Sequence, residues 1–441
     1  MTIMKTRALP QMLRALRHRN YRLFFTGQGI SLIGTWMTRL ATTWLLWRLT
    51  QSAELLGLLG FAGQIPTFLL TPFAGVWIDR LNRHRLLVVT QILAMLQSFA
   101  LATLMFAHII QVWEIIALQL FQGIVNAFEM PTRQSLMIDL IEDKDDLSNA
   151  VALNSSMVNA SRLIGPSLAG IIIAWVGEGW CFFADGVSYI AVILSLLAMR
   201  LALRPAIPKG RRVLHDLREG FGYAWRFTPI RAILLLLALL GLAGIPYRVL
   251  MPMIASETLH GGAHTLGFLM AAMGVGALAG ALYLASRSSV IGLGRLIPMA
   301  AATFGAALIG VGLSRSLALS LLIMVATGMG FMVHLAASNT VIQTLVREDM
   351  RGRVMALYTM SIMGVSTFGC VIAGVIAGLV GAPLTLIGGG VLCIIGAALF
   401  AQRLPGLRRE VRPVYIEKGI IQPEVAETLR SATTLREEME Q

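Results

Sequence analysis

GVWIDRLNRHR, residues 75–85, follows twenty residues, 55–74, that carry no charge at all. Within it Asp79, Arg80, Arg83, His84 and Arg85 crowd into seven positions. Lipid cannot solvate such a knot, so it belongs at a membrane surface, between two apolar helices that cross the bilayer. The rest of the chain decides whether that reading holds.

Composition agrees with it. The 441 residues are 56% hydrophobic and 13% charged, against about 25% charged for a soluble domain. The first 19 residues are polar and basic, so no cleavable signal peptide is expected,. Cys181, Cys370 and Cys393 lie in apolar runs without metal-ligand spacing,.

A helix crossing the ~30 Å hydrocarbon layer needs roughly 20 apolar residues. That ruler places spans near 22–48, 55–78, 85–107, 112–130, 148–176 and 180–200. Six more follow near 230–252, 264–286, 292–313, 316–339, 352–380 and 383–403. Such runs exceed strand length, and only a helix satisfies its own backbone in lipid. The expected fold is therefore an all-α membrane protein of twelve transmembrane helices. GVGALAG at 274–280 has no strand before it and reads as close helix packing, not a dinucleotide loop,.

Basic residues set the orientation. With a cytoplasmic N-terminus, all of the 36 Lys and Arg fall on the inner side except Arg39, Arg48, Arg162, Arg248 and Arg315. That is the positive-inside pattern. The net charge of +13 is thus a topology signal and gives no support for a nucleic-acid partner. Both termini are expected in the cytoplasm.

The longest connection, 201–229, contains VLHDLREGFGYAW, which puts Leu214, Leu217, Phe221 and Trp225 on one helical face. A helix lying on the membrane surface is expected there. It divides the chain into bundles at 1–200 and 230–403, with a cytoplasmic tail at 404–441. The halves also match without gaps over one stretch. DLSNAVALNSSMVNASRLIGPSLAGIIIAWVG from Asp146 aligns with MRGRVMALYTMSIMGVSTFGCVIAGVIAGLVG from Met350. Gly165/Gly369, Gly170/Gly374 and Gly177/Gly381 coincide, and Leu56-Gly57 matches Leu266-Gly267. Two such halves, with a substrate site between them, describe a large transporter class.

The opening stretch resembles the signature between spans 2 and 3 of the major facilitator superfamily, Gly-x-x-x-Asp-Arg-x-Gly-Arg-Arg/Lys, with Asn82 in place of the second glycine. LRHRNYRLFFTGQGISLIGTW, NAFEMPTRQS, GEGWCFFADGVSYIAV and RGRVMALYTM are similar to its enterobactin-exporter-like branch. The resemblance spans residues ~15 to ~403. It implies two pseudo-symmetric six-helix bundles that rock about a central cavity lined by spans 1, 4, 7 and 10. It also implies that Asp79 closes the cytoplasmic side against the start of span 11, with Arg80, Arg83, Arg133, Arg162, Arg351 and Arg353 as the surrounding gate cations. In the second half the motif has decayed to GALYLASRSSVIGLGR, without the acid.

Charges inside the spans each cost ~2.5–3.5 kcal/mol to insert. Arg39 in span 1 and Arg248 in span 7 sit at matching positions and suit an anionic cargo. Trp36, Gln122, Asn126 and Tyr247 are the accompanying candidates for substrate contact. Glu129, His334 and Asp185 are candidates for proton binding. The family's span-4 arginine is replaced by Gln119 in QLFQG, and Arg162 precedes a Gly165-Pro166 pair resembling that of exporters. Arg133 is placed to neutralise Glu129 one turn away, and Arg162 to pair with Glu129 or Asp185. No Walker A loop and no hydrolase motif is present, so neither enzyme chemistry nor a cofactor is expected. The expected function is a secondary exporter of siderophore-like or amphiphilic drug-like molecules, by proton antiport, from the cell inner membrane. Its partners would be a small-molecule substrate, protons and the lipid bilayer, and it would act as a monomer. Proton-coupled uptake and lysolipid flipping are the alternatives on the same fold.

Overall fold

The computed structural model describes residues 11–78, 81–141, 143–199, 213–287 and 289–420. Asp79 and Arg80, at the centre of the 75–85 motif, lie outside these residues, as does 421–441. Six helices form the first half: α1 (Arg19–Thr50), α2 (Ala53–Ile78), α3 (Arg83–Phe106), α4 (Val112–Asp139), α5 (Lys144–Val176) and α6 (Glu178–Leu197). A short surface helix, α7 (Val213–Arg226), follows. Six more make the second half: α8 (Thr228–Thr258), α9 (Ala263–Ala285), α10 (Leu293–Leu313), α11 (Leu317–Leu345), α12 (Glu348–Val380) and α13 (Ala382–Glu417). Twelve of these are long enough to cross a bilayer, and ten are also apolar enough. The two that fall short, α1 and α4, carry Thr35, Thr38, Arg39, Gln119, Gln122, Asn126 and Glu129 along their lengths. Polar residues tolerated mid-span point to a wet interior rather than to lipid.

The two halves pack alike. Within the first, α1 lies on α5 and α6, α2 on α4, and α3 on α4 and α6. Within the second, α9 lies on α11, α10 on α11 and α13, and α8 on α12 and α13. Across the divide α2 meets α12 and α5 meets α9, which are equivalent contacts under the same exchange of halves. The repeat reaches individual turns. Gly177 and Gly381 hold φ of +89° and +85° where the chain reverses into α6 and α13. A side chain at either would be strained.

Several ends run beyond the expected spans, α4 and α13 furthest. Helix α4 continues past Pro131 to Asp139, and α13 passes Pro405 and Pro413 to Glu417, where a stop near 403 was expected. The extension of α13 survives its prolines because Leu407 is buried and Val411, Val414 and Tyr415 pack on the bundle. Lys418 then donates to the Thr344 carbonyl at 2.7 Å.

The ends carrying α7, the start of α1 and Lys418 form a basic face. Here Asn82 caps α3 by accepting from the Arg85 N–H at 3.1 Å, and Arg83 pairs with Asp139 at 2.8 Å. On helix α7, Phe221 and Trp225 are exposed and stacked at 5.3 Å. Its Glu219 holds Arg353 of α12 at 2.9 Å.

The segment Gln11–Arg17 is tied to α5 through Asp146, which accepts from Arg14 and from His18 Nε2 at 3.0 Å. Both contacts need the ionised carboxylate, so they weaken once acid protonates it, at about pH 4 for an ordinary aspartate. We therefore expect residues 11–17 to be protected from hydrogen exchange at neutral pH and to lose that protection as pH falls below about 4. Asp146→Asn should remove the protection already at neutral pH; unchanged protection would show that this tether contributes nothing.

Candidate functional site

The ends opposite the basic face are closed. Trp47 Nε1 of α1 donates to Ser256 Oγ of α8 at 2.8 Å. Gly57 of α2 lies against Gly374 of α12, and Gly170 of α5 against Gly267 of α9. A Cβ at Gly57 would fall 2.6 Å from the Cys370 carbonyl oxygen, and one at Gly374 2.7 Å from that of Ala53. At Gly170 and Gly267 the corresponding distances are 2.9 Å to Ala263 and 2.7 Å to Pro166. These are the glycines that the internal repeat had matched, Gly57 with Gly267 and Gly170 with Gly374. Each half thus supplies one of its pair to each of two equivalent seams. Only residues without side chains allow backbones this close.

Toward the basic face the halves part. On α5 Val151, Ala152, Ser155, Ser156 and Ala160 are exposed, as are Leu282 and Tyr283 on α9 and Thr340 and Gln343 on α11. Helix α1 is surrounded by α2, α4, α5, α6 and α8. Arg39, deep within it, is nevertheless exposed. It therefore faces a cleft inside the ring of helices, reached from the basic face.

Three arginines share this depth, each roughly 15–21 Å along its helix from the closed end at 1.5 Å rise per residue. Arg39 lies over the Trp36 ring at 4.9 Å, and Arg162 of α5 over the same ring at 5.2 Å. From the other half, Arg248 lies 5.9 Å from the Tyr247 ring and 5.7 Å from Phe331 of α11. Its Nε donates to the Tyr247 hydroxyl at 3.3 Å, and that hydroxyl lies 2.9 Å from Met273 Sδ. The charge of Arg248 acts on both Arg39 and Arg162. Helix α8 reaches this geometry through wide i→i+5 turns at Leu240–Gly244 and Ile254–Thr258 that bracket Arg248. Such turns rotate a helix face at the expense of regular bonding and recur at functional positions.

The structure thus brings Trp36, Arg39, Tyr247 and Arg248 into one layer and adds Arg162 to it. The expected partner of Arg162 was Glu129 or Asp185; its near neighbour is Trp36, and its Nε is buried without a hydrogen-bond partner. Glu129 pairs with Arg133 at 3.6 Å, one turn along α4. Gln122 donates to Asn126 at 3.2 Å on the same helix. His334 is fully buried, its Nδ1 3.1 Å from the Ile297 carbonyl of α10. Asp185 is 1% exposed in α6, accepting from Ser98 Oγ at 2.9 Å, with Gly34 of α1 directly above it and the charge of Arg39 within range. Arg351, in the first turn of α12, lines one pocket with Lys418 and Gln343 at the basic face. Phe331, Met273 and Ser98 escaped the sequence reading, since an apolar or hydroxyl residue in a span carries no distinguishing signal. Among the described residues no cluster of His, Cys, Asp and Glu is placed to hold a metal ion.

Comparison with known proteins bears on this arrangement. A family model described as transmembrane secretion effector matches residues 11–432. The chain is 25% identical over 392 residues to the Staphyloferrin A transporter of Staphylococcus aureus, covering 88% of this chain and 98% of that one. It is 24% identical to the Multidrug efflux pump Tap of Mycolicibacterium fortuitum, covering 86% of this chain and 95% of the pump. Among solved structures, a mutant of the peptide transporter POT superimposes with a TM-score of 0.72 at 10% identity, covering 89% of this chain and 95% of that one. A bacterial homolog to human lysosomal transporter Spinster gives 0.67 at 15% identity, covering 89% and 98%.

Proposed function

The chain belongs to the transmembrane secretion effector family of major facilitator transporters, and on that premise we propose that it exports small organic molecules from the cytoplasm by alternating access. It is a multi-pass membrane transporter and not an enzyme. The basic face is proposed to be cytoplasmic, as the positive-inside rule requires, and the membrane to be the cell inner membrane. A siderophore-like or amphiphilic drug-like cargo is in keeping with what the relatives are named for.

One observation carries the reading: the arginine layer is reachable from the basic face while Trp47–Ser256 and the two glycine seams shut the other. A carrier in this state loads from the cytoplasm. Parting of the seams, with closure of the basic ends, would release cargo outside.

We further propose that protons entering the cell are the exchanged ion and that Asp185 carries them. It is a carboxylate buried in a span, with hydroxyl partners and no ion pair among the described residues. One charge moved across 100 mV is worth ~2.3 kcal/mol, about a fifty-fold concentration ratio. Everted vesicles acidified inside should accumulate a fluorescent cargo only when the protein is present. Accumulation under the opposite gradient alone would replace export with uptake, and protein-dependent crossing of fluorescent lysolipid would replace it with flipping.

A further inference from the structure

Resting on that exporter reading, we propose that the cargo is an organic polyanion, with two or more carboxylates around a flat body, held by Arg39 and Arg162 from one half and Arg248 from the other. The three guanidiniums stand at one depth of the membrane, where an unbalanced charge is costly. Their close contacts are with aromatic rings, at 4.9–5.9 Å. A ring face attracts a cation without neutralising it. The nearby acids make no direct ion pair with them among the described residues: Glu129 pairs with Arg133 and Asp185 accepts from Ser98 beneath Gly34, and both act on Arg39 only at longer range. Arg162 keeps a buried, unpartnered Nε. Guanidinium forks match planar carboxylates bidentately, so the missing counter-charge has the chemistry of several such groups. Trp36, already clamped by two cations, presents an aromatic platform between them.

Division of the cluster between the halves gives the charge count a mechanical role. Empty, Arg248 repels Arg39 and Arg162 across the cleft. A bound polyanion converts that repulsion into attraction and draws the basic ends together. A single carboxylate engages one half and leaves the other cation unmatched, so it binds without closing the carrier. Outward movement of such a cargo carries net negative charge, and an inside-negative potential drives it.

The test uses the full-length protein in nanodiscs and three acids on one ring: benzoate, isophthalate and trimesate, with one, two and three carboxylates. Affinity is expected to rise roughly tenfold with each added carboxylate, as charge-assisted bonds accumulate, and the neutral trimesate triester should not bind. Arg162→Gln and Arg248→Gln should each weaken trimesate about tenfold and leave benzoate nearly unchanged. Arg162→Lys should recover part of the loss. Removing a mid-membrane charge does not endanger insertion, and a monodisperse elution profile checks it. Equal affinity across the series, or trimesate binding indifferent to both variants, would overturn the polyanion assignment. So would inorganic phosphate matching trimesate, since it lacks the flat body. Because binding is read without transport, a flat series alongside intact export of a neutral dye refutes this inference alone. Trimesate binding without export of any cargo would instead refute the exporter reading.

Discussion

Gly57→Val and Gly170→Val should each drive the protein out of the state described here and into one open at the face opposite the basic ends. The new side chain meets backbone atoms, whose nearest approach to a Cβ is 2.6 Å at Gly57 and 2.9 Å at Gly170. Backbone cannot swing aside as a flexible side chain can. Overpacking of this kind typically costs about 1–3 kcal/mol, which shifts a two-state equilibrium by roughly five-fold to more than a hundred-fold. The penalty exists only while the seam is closed, so an ordinary destabilisation is not the expected outcome. A cysteine at Val249, 8% exposed beside Gly60 in the closed region, reports the change. In a background with Cys181, Cys370 and Cys393 replaced by alanine, its reaction with an impermeant maleimide from the outer side should rise at least tenfold. Because the seams are equivalent, both variants should act alike. An effect at Gly57 without one at Gly170 would mean that the halves do not move as symmetric bodies.

Asp185→Asn should abolish uphill export and leave downhill exchange of cargo intact. Asparagine preserves size and can still accept from Ser98, so packing between α1, α3 and α6 survives. What it cannot do is gain and lose a proton. An exchanger that moves one proton per cargo would lose about a fifty-fold concentration ratio at 100 mV. The measurement is paired: accumulation under a proton gradient, and equilibrium exchange of labelled cargo without one. Loss of the first with retention of the second is the signature of uncoupling. Retention of both would remove Asp185 from the coupling route, and loss of both would make it a structural residue of α6.

Much of this molecule was legible in the order of its residues, for identifiable physical reasons. The spans showed because a bilayer imposes one length and one solvent on every helix, and Ala53–Ile78 or Glu178–Leu197 can satisfy neither in any other fold. The glycine matches Gly57/Gly267 and Gly170/Gly374 were visible as a repeat. That they face one another crosswise required coordinates, because a repeat states equivalence and not contact. Arg39 and Arg248 stood out through the cost of a charge in mid-span. Arg162 stood out for the same reason but was assigned to an ion pair, since acids at Glu129 and Asp185 offered the simplest compensation. Its actual neighbour, Trp36, is more than a hundred residues away in the chain, and cation–ring contacts leave no spacing rule to read. Pro405 points to an end of α13 near 403, but burial of Leu407 and the packing of Tyr415 outweigh the missing backbone bond and carry the helix to Glu417.

Spin labels at two pairs of sites test alternation of the cleft most directly. Gln134 of α4 and Gln343 of α11 report the basic ends, and Gln51 and His260 the opposite ends; all four are exposed. Adding saturating cargo together with an imposed proton gradient should shorten the first distance and lengthen the second within the same molecules. If both distances stay fixed, or both change in the same sense, the halves do not rock about a shared site.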